Sequence, residues 1–513
     1  MNIKSLAQTV TLLMGRVPQP FPRDTTGLSE AVDTDIVELK NGDIFDLRAT
    51  IVRKQIGDTS VKMFAYNGSI PGPTLKVVQG SEITINFTND TELETTVHWH
   101  GLRLENRYDG VPEGVHHGHQ PPVPVGGSYI YRLRFPDPGV YWYHPHLRED
   151  YTQELGLYGN IIVIPNTPGY WLPVNREFAL ILDDILIEDG KIAPFSQTLP
   201  TRIAMGRFGN VMLVNGGTDG KLEFSKREVV RLYLTNTANV RTFNIRIPGA
   251  GMKWVGSDSG RVEHEQFIEE LMIAPSERAI VDVHFENTGQ FTLEHRTPEK
   301  TYAMAAIEVN EQTIEPSYAQ DFDTLRHNQD FDAEREHLKA DFERLPDKTL
   351  SLVGEIPGMH HGAHMMEPIE WEDTMAAHNR MTTPENMFWK LVDRETGKAN
   401  HDIEWTFTAG DRVKIRIINE PHSDHPMQHP IHFHGQRFLI LSRDGMHSEN
   451  LMWKDTVLIP AGQTVDILLD ASNPGAWMTH CHIAEHLESH MMFNFFVQQK
   501  DTKSEEHHHH HHE

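Results

Sequence analysis

Apolar and polar residues alternate in short runs along most of the chain, and the runs recur in a fixed order. A run ending in Asn appears three times: GSEITINFTN (Gly80 to Asn89), REVVRLYLTN (Arg227 to Asn236) and GDRVKIRIIN (Gly410 to Asn419). Downstream of each comes a second pattern of strand, glycine turn and strand. These segments are YRLRFPDPGVYWYHPH, VDVHFENTGQFTLEHR and VDILLDASNPGAWMTHCH, with turn glycines Gly139, Gly289 and Gly475. Period-two alternation sends successive side chains to opposite faces of a strand. Each repeat therefore reads as a β-sandwich of Greek-key type, and the chain as all-β with three such units.

The breaks in this pattern set the expected boundaries. The first unit covers residues 1–165, ending where NTPGYWLP begins a linker, and the second covers 166–310. From Ser317 to Leu345 the sequence becomes charged, with apolar residues at helix-like intervals. That predicts a helical connector within 311–350, a disordered linker being the alternative. The third unit covers 351–500, and in the tail 501–513 the run His507 to His512 reads as a purification tag.

Composition narrows the functions open to such a chain. Its 513 residues suit about three domains. A net charge of -27 argues against a nucleic-acid partner. No apolar run is long enough to span a membrane. A single cysteine, Cys481, rules out an internal disulfide framework. The start, MNIKSLAQTVTLLMGRVPQP, has a weak apolar patch but no A-x-A cleavage site. The native protein is expected in the periplasm or outside the cell, with its export signal removed or replaced.

The chemistry lies at fixed offsets in the repeat. The fifth and seventh residues beyond the turn glycines are His144 and His146, then Glu294 and Arg296, then His480 and His482. HWHG adds His98 and His100, and HPIHFHG adds His432 and His434 with His429 ahead of them. In an extended strand each His-x-His pair puts both imidazoles on one face. Neutral imidazole suits copper, zinc, iron and nickel. Eight imidazoles are too many for one ion but fit three, with positions left open for oxygen. The middle unit lacks ligands here and is expected to serve as a spacer and a wall for the substrate. Cys481 points away from its two histidine neighbours. With His486 and Met491 it supplies the thiolate, an imidazole and the weak thioether of a blue-copper site. Each flanking histidine lies one residue from the cysteine, roughly 3.3 Å of chain rise, so the strand can act as a short wire.

HWHG, HPH, HPxHxHG and HCHxxxHxxxxM together resemble the four copper-binding segments of the multicopper oxidases, in particular three-domain laccases. The resemblance spans almost the whole chain. It implies three cupredoxin-like domains and four coppers per chain: one type 1, one type 2 and a type 3 pair. It assigns the type 1 copper to His429, Cys481 and His486, with Met491 axial. It gives His98 and His432 to the type 2 copper, and His100, His144, His146, His434, His480 and His482 to the type 3 pair. Electrons would enter at the type 1 site through Cys481 and His486, and O2 would be reduced to water at the trinuclear site.

Protons must accompany the electrons. Asp109, in YDGVPEG, resembles the family's aspartate near the type 2 copper; a solvated turn aspartate is the alternative. Many bacterial members have Glu directly after the last type 1 histidine. Here Leu487 stands there and Glu488 follows, as in fungal laccases.

Two further stretches are His- or Met-rich. Gly358 to Pro368 (GMHHGAHMMEP) is followed by Met375, His378 and Met381. Thioethers favour Cu(I), so this stretch could serve a copper-oxidising relative; a solvated loop is the alternative. His116, His117 and His119 read as surface residues or contacts behind the ligands. The expected activity is a laccase-type oxidase coupling phenols and aromatic amines to O2. A Cu(I)-oxidising enzyme of copper tolerance is the second reading, and a non-catalytic copper carrier or coat-type protein the third.

Overall fold

The computed structural model describes residues 20–113, 120–357 and 367–500. His116, His117, His119 and Gly358 to Met366 lie outside the described residues. The chain builds three sandwiches, each from two main sheets. In the first, Ile36–Leu39, Thr74–Val78, Gly159–Ile164, Gly139–His144 and His98–His100 form one sheet in that order. Thr59–Tyr66, Ile44–Ile56, Glu82–Asn89 and Ser128–Arg134 form the other. The middle sandwich pairs a six-stranded sheet with a five-stranded one. In the third, a sheet ordered Trp405–Thr408, Met492–Gln498, Gly475–Cys481, His429–Phe433 and Thr456–Ile459 carries the cysteine.

The repeated Asn does the same job in each sandwich. Asn89 Nδ2 donates to the carbonyls of Leu93 and Val123. Asn236 Nδ2 donates to those of Arg241 and Ile273, and Asn419 Nδ2 to those of Met427 and Ile459. All three side chains are buried. Each pins the loop that leaves its strand, satisfying carbonyls that would otherwise be stranded in the core. The turn glycines Gly139, Gly289 and Gly475 have φ of 148°, 134° and 150°, which L side chains avoid.

Alternation does not always mean solvent on one face. Every residue of Val229–Asn236 in the middle unit is buried. Its polar face is covered and paired: Arg231 forks onto Asp282, and Thr235 donates to Asn160 Oδ1 of the first unit. The apolar contact between the first two units joins Val140 and Ile162 to Tyr233, Val255 and Ile280.

The connector is helical, as its pattern predicts, with helices at Ala319–Asp323 and Asp330–Glu343. Phe331 and Leu338 of the longer helix pack with Leu439, Leu441, Leu451 and Leu468 of the third unit. The remaining helix surface is charged, so packing rather than propensity holds it. No helix among the described residues is long and apolar enough to cross a membrane.

Candidate metal centre

Strand pairing sets the histidines side by side within each of the two histidine-bearing sheets. In the first unit His98 lies opposite His144. In the third, Ile431 lies opposite Cys481 and His432 opposite His480. The period of two then sends Cys481 into the third unit's core and its neighbours to the boundary with the first unit.

On the inner side, Cys481 Sγ sits 3.4 Å from His429 Nδ1 and 3.7 Å from His486 Nδ1. The two Nδ1 atoms are 3.3 Å apart. Ligands bound at about 2.0–2.3 Å around one ion in a trigonal arrangement would be about 3.5–3.7 Å apart, so the three atoms are spaced as ligands of one metal. All three side chains are buried, and so is Met491. A tight local fold fixes this geometry. His486 lies in the short helix Ala484–Glu488, the Met491 amide donates to the His486 carbonyl, and the Cys481 amide donates to the Met491 carbonyl. Burial pushes the Cys481 thiol up, so a bound metal would have to displace its proton. Burial, with His425 nearby, pushes His429 down to about 3. Trp389 packs on His486 at 4.3 Å between ring centres.

On the other side, eight imidazoles converge. His434 Nε2 lies 3.4 Å from His146 Nε2 and 3.0 Å from His480 Nε2. His100 stacks on His432 at 3.8 Å, and His482 lies 5.0 Å from His100 and 5.1 Å from His144. The far nitrogens are tied back. His98, His144, His432 and His480 direct Nδ1 at the carbonyls of Asp109, Pro145, Asp455 and Cys481, at 2.7 to 2.9 Å. His434 Nδ1 meets Asp109 Oδ2 at 2.9 Å. His100 is turned the other way, with Nε2 on Asp455 Oδ1 at 3.0 Å. A ring nitrogen that donates outward leaves the inward nitrogen with a lone pair. The inward atoms His98 Nε2, His100 Nδ1, His144 Nε2, His432 Nε2 and His482 Nε2 are buried without any hydrogen-bond partner. Five orphaned acceptors facing one space would be costly in a metal-free protein and are what metal ligands require. Burial and mutual crowding push His100, His144, His146, His434, His480 and His482 well below the usual imidazole range, toward the neutral ligand form. The residues fit copper at both places.

The structure brings the eight cage histidines together, and His429 with Cys481 and His486, while Met491 is buried in the same core. Charged side chains surround the cage, and of these Asp455, Arg278 and Glu149 were not expected from the sequence. Asp109 is buried with its carboxylate between His434 Nδ1 and His98 Nδ1, the latter at 3.3 Å, so it is no solvated turn residue. Asp455, at the start of the strand beside His432, holds His100 and is itself gripped by Arg278 of the middle unit. Burial would raise its carboxyl, but Arg278 outweighs this and holds it well below the usual range. Glu149 stands 3.3 Å from His146 Nδ1 and 3.8 Å from His144 Nδ1. Glu488 lies behind it, accepting the Glu149 amide proton at 2.9 Å. Burial, then Glu488, raises the Glu149 carboxyl well above its usual range, and burial with Asp150 pushes Glu488 up to about 8. The spacing of three residues from His146 was the available signal for Glu149.

Three β-sandwiches in one chain, with a cysteine-centred metal set and an adjoining cage of eight histidines, define a copper oxidase. Family models described as multicopper oxidase match residues 49–168, 182–314 and 371–501, and the chain belongs to that family. It is 25% identical over 436 residues to multicopper oxidase mco of Staphylococcus aureus, covering 83% of this chain and 82% of that protein. It is 24% identical to Laccase-2 of Podospora anserina, covering 90% and 79%. Among solved structures, the multi-copper oxidase of Pseudomonas thermotolerans superposes with a TM-score of 0.66 at 25% identity, covering 90% of this chain and all of that one. The protein is an oxidoreductase that uses copper, small-molecule substrates and O2.

Proposed function

We propose that this chain is a laccase-type oxidase with four coppers, one type 1, one type 2 and two type 3, acting on phenols and aromatic amines. The observation that carries the reading is Cys481 facing one metal set while its neighbours His480 and His482 face the other. Bound copper would supply one-electron transfer at the first set and four-electron reduction of O2 at the second. Cys481 joins the two through its own backbone, because its carbonyl accepts from His480 Nδ1 at 2.9 Å. His429, Cys481, His486 and Met491 would hold the type 1 ion. His98 and His432 would hold the type 2 ion, and His100, His144, His146, His434, His480 and His482 the type 3 pair. Asp109 orients His434 and His98 through their outer nitrogens. Glu149 stands beside His146 Nδ1, its carboxyl biased by burial toward the protonated form, and Glu488 stands one step behind it.

A second reading, a Cu(I)-oxidising enzyme of copper tolerance, is favoured by one observation. His486 is fully buried, with backbone of Ile203 and Ala204 next to its ring. That loop is strapped in place: Thr382 Oγ1 accepts the Ala204 amide proton, and Asn379 bonds to Met205 and Gly206. The half-buried thioether of Met375 packs against the same core. A phenol cannot touch the imidazole directly under that cover, whereas a small cation needs only soft donors leading inward.

Turnover of a phenol and of Cu(I), each with and without added Cu(II), separates the two. Laccase-type action predicts phenol oxidation without added Cu(II). A phenol rate that appears only with Cu(II), beside fast Cu(I) oxidation, would give the second reading precedence.

A further inference from the structure

Away from the copper centres, two histidines face each other where the connector meets the middle unit. His264 lies in the strand Gly260–Ile268, and His327 lies between the two connector helices. The two residues form an isolated antiparallel bridge. The flanking bonds run from the Glu265 amide to the Arg326 carbonyl and from the Asn328 amide to the Glu263 carbonyl. His264 and His327 are therefore a non-hydrogen-bonded pair, the cross-strand position whose side chains approach most closely. Their Nδ1 atoms are 3.2 Å apart.

Asp332 fixes one ring: His327 Nε2 is 2.5 Å from Asp332 Oδ1. A carboxylate beside Nε2 favours the proton there and leaves the lone pair on Nδ1. His264 Nε2 is 3.6 Å from Glu263 Oε1, beyond hydrogen-bond reach, and that carboxylate is held by Arg335. The His327 Nδ1 lone pair therefore faces His264 Nδ1 across a gap that either a proton or a metal ion can fill. A separation of 3.2 Å suits two nitrogens bound at about 2.0–2.1 Å to one tetrahedral ion. The side chains are 43% and 40% exposed, so water can complete the coordination sphere.

We propose that His264 and His327 form an auxiliary site for a divalent transition-metal ion of the zinc or copper type, separate from the four coppers of the oxidase. Asp332 orients His327 from outside. The site ties the connector to the outer strand of the middle unit, where Arg335 of the connector helix already forks onto Glu263. An ion held there braces the junction through which the helix reaches Phe331 and Leu338 into the third unit.

The test uses the copper-loaded, full-length enzyme with His507 to His512 removed, since that run binds metal itself. Zn2+ binding is measured by isothermal titration calorimetry on this protein and on His264→Gln, His327→Gln and Asp332→Asn. The other histidine-rich stretches are common to all four proteins and cancel. The expected result is one Zn2+ per chain more in the parent than in either histidine variant. Asp332→Asn should keep that site with about 10-fold weaker affinity or more. Zn2+ should also raise the unfolding midpoint of the parent and not of the histidine variants. Far-ultraviolet dichroism and blue absorbance, unchanged across the set, would establish that the variants fold. Equal Zn2+ stoichiometry and affinity in the parent and both histidine variants would overturn the proposal.

Discussion

The middle and third units carry the same strand at the same place in the repeat and use it differently. Gly289–Arg296 places Glu294 and Arg296 where Gly475–Cys481 and the next residue place His480 and His482. Glu294 pairs with Arg246, and Arg296, half exposed, lies 3.6 Å from Glu270. His480 and His482 are fully buried. The framework around the strands is shared, down to the turn glycine and the corner Asn. A sandwich strand is thus a neutral carrier, and its two alternating positions become a metal site only when another unit supplies facing ligands. The middle unit is not merely a spacer, however. It reaches the metal cage through Arg278 on Asp455, and it covers His486 with Ile203 and Ala204.

The comparison breaks most visibly at the cysteine. Cys481→Ser should abolish blue absorbance and donor oxidation, while the histidine cage still binds metal. Spectroscopy and metal analysis check this, and retained colour would show that Cys481 is not a ligand. Asp109→Asn should come next, with reoxidation by O2 slowed about 100-fold and reduction of the type 1 set by donor unchanged in stopped flow. The amide also loses an acceptor for His434 or His98, so some loss of metal from the cage would accompany the change.

The middle unit should answer in stability rather than colour. Arg278→Gln removes the cation that pairs with buried Asp455, leaving it only its bonds to His100 and Thr456, and should cost about 3–5 kcal/mol, read from denaturant unfolding, with type 1 absorbance kept. A pH-dependent effect is expected from Asp183, a buried residue of the strand Arg176–Ile185 whose carboxyl burial pushes up to about 8. A raised folded pKa means that the folded state holds the proton longer. Its stabilising share is complete below the ordinary carboxylate range and is lost as pH rises toward 8. Asp183→Asn should flatten the fall in stability between about pH 4 and 8, followed by unfolding midpoints across that range. Least of all, Glu294→His with Arg296→His should bind no additional copper, because the two positions meet Arg246 and Glu270 of their own unit rather than a second set of histidines. Extra bound copper would mean that the strand alone suffices.

Most of the histidines that the fold gathers were legible because their pattern is local. His-x-His in a strand is a statement about one face, and it recurs at a fixed offset from a glycine. The helical connector was legible for the same reason, as a change of period. Asp455 and Arg278 were not. Arg278 opens a strand and Asp455 stands between two, each a single charged residue with no local signature, and they meet only because segments far apart in sequence pack together. The burial of His486 was equally hidden, since its cover comes from the loop Ile203 to Gly206 of another unit. Glu149 lay in view, three residues from His146, but only its buried position gives the spacing meaning.

In the proposed function Cys481 passes single electrons to a cage that reduces O2 completely. Donor oxidised, O2 consumed and hydrogen peroxide formed, measured together in one closed vessel with the copper-loaded enzyme, decide this. Four donor electrons per O2 and no peroxide are expected. Two electrons per O2 with peroxide accumulating, or donor oxidation without O2 uptake, would contradict it.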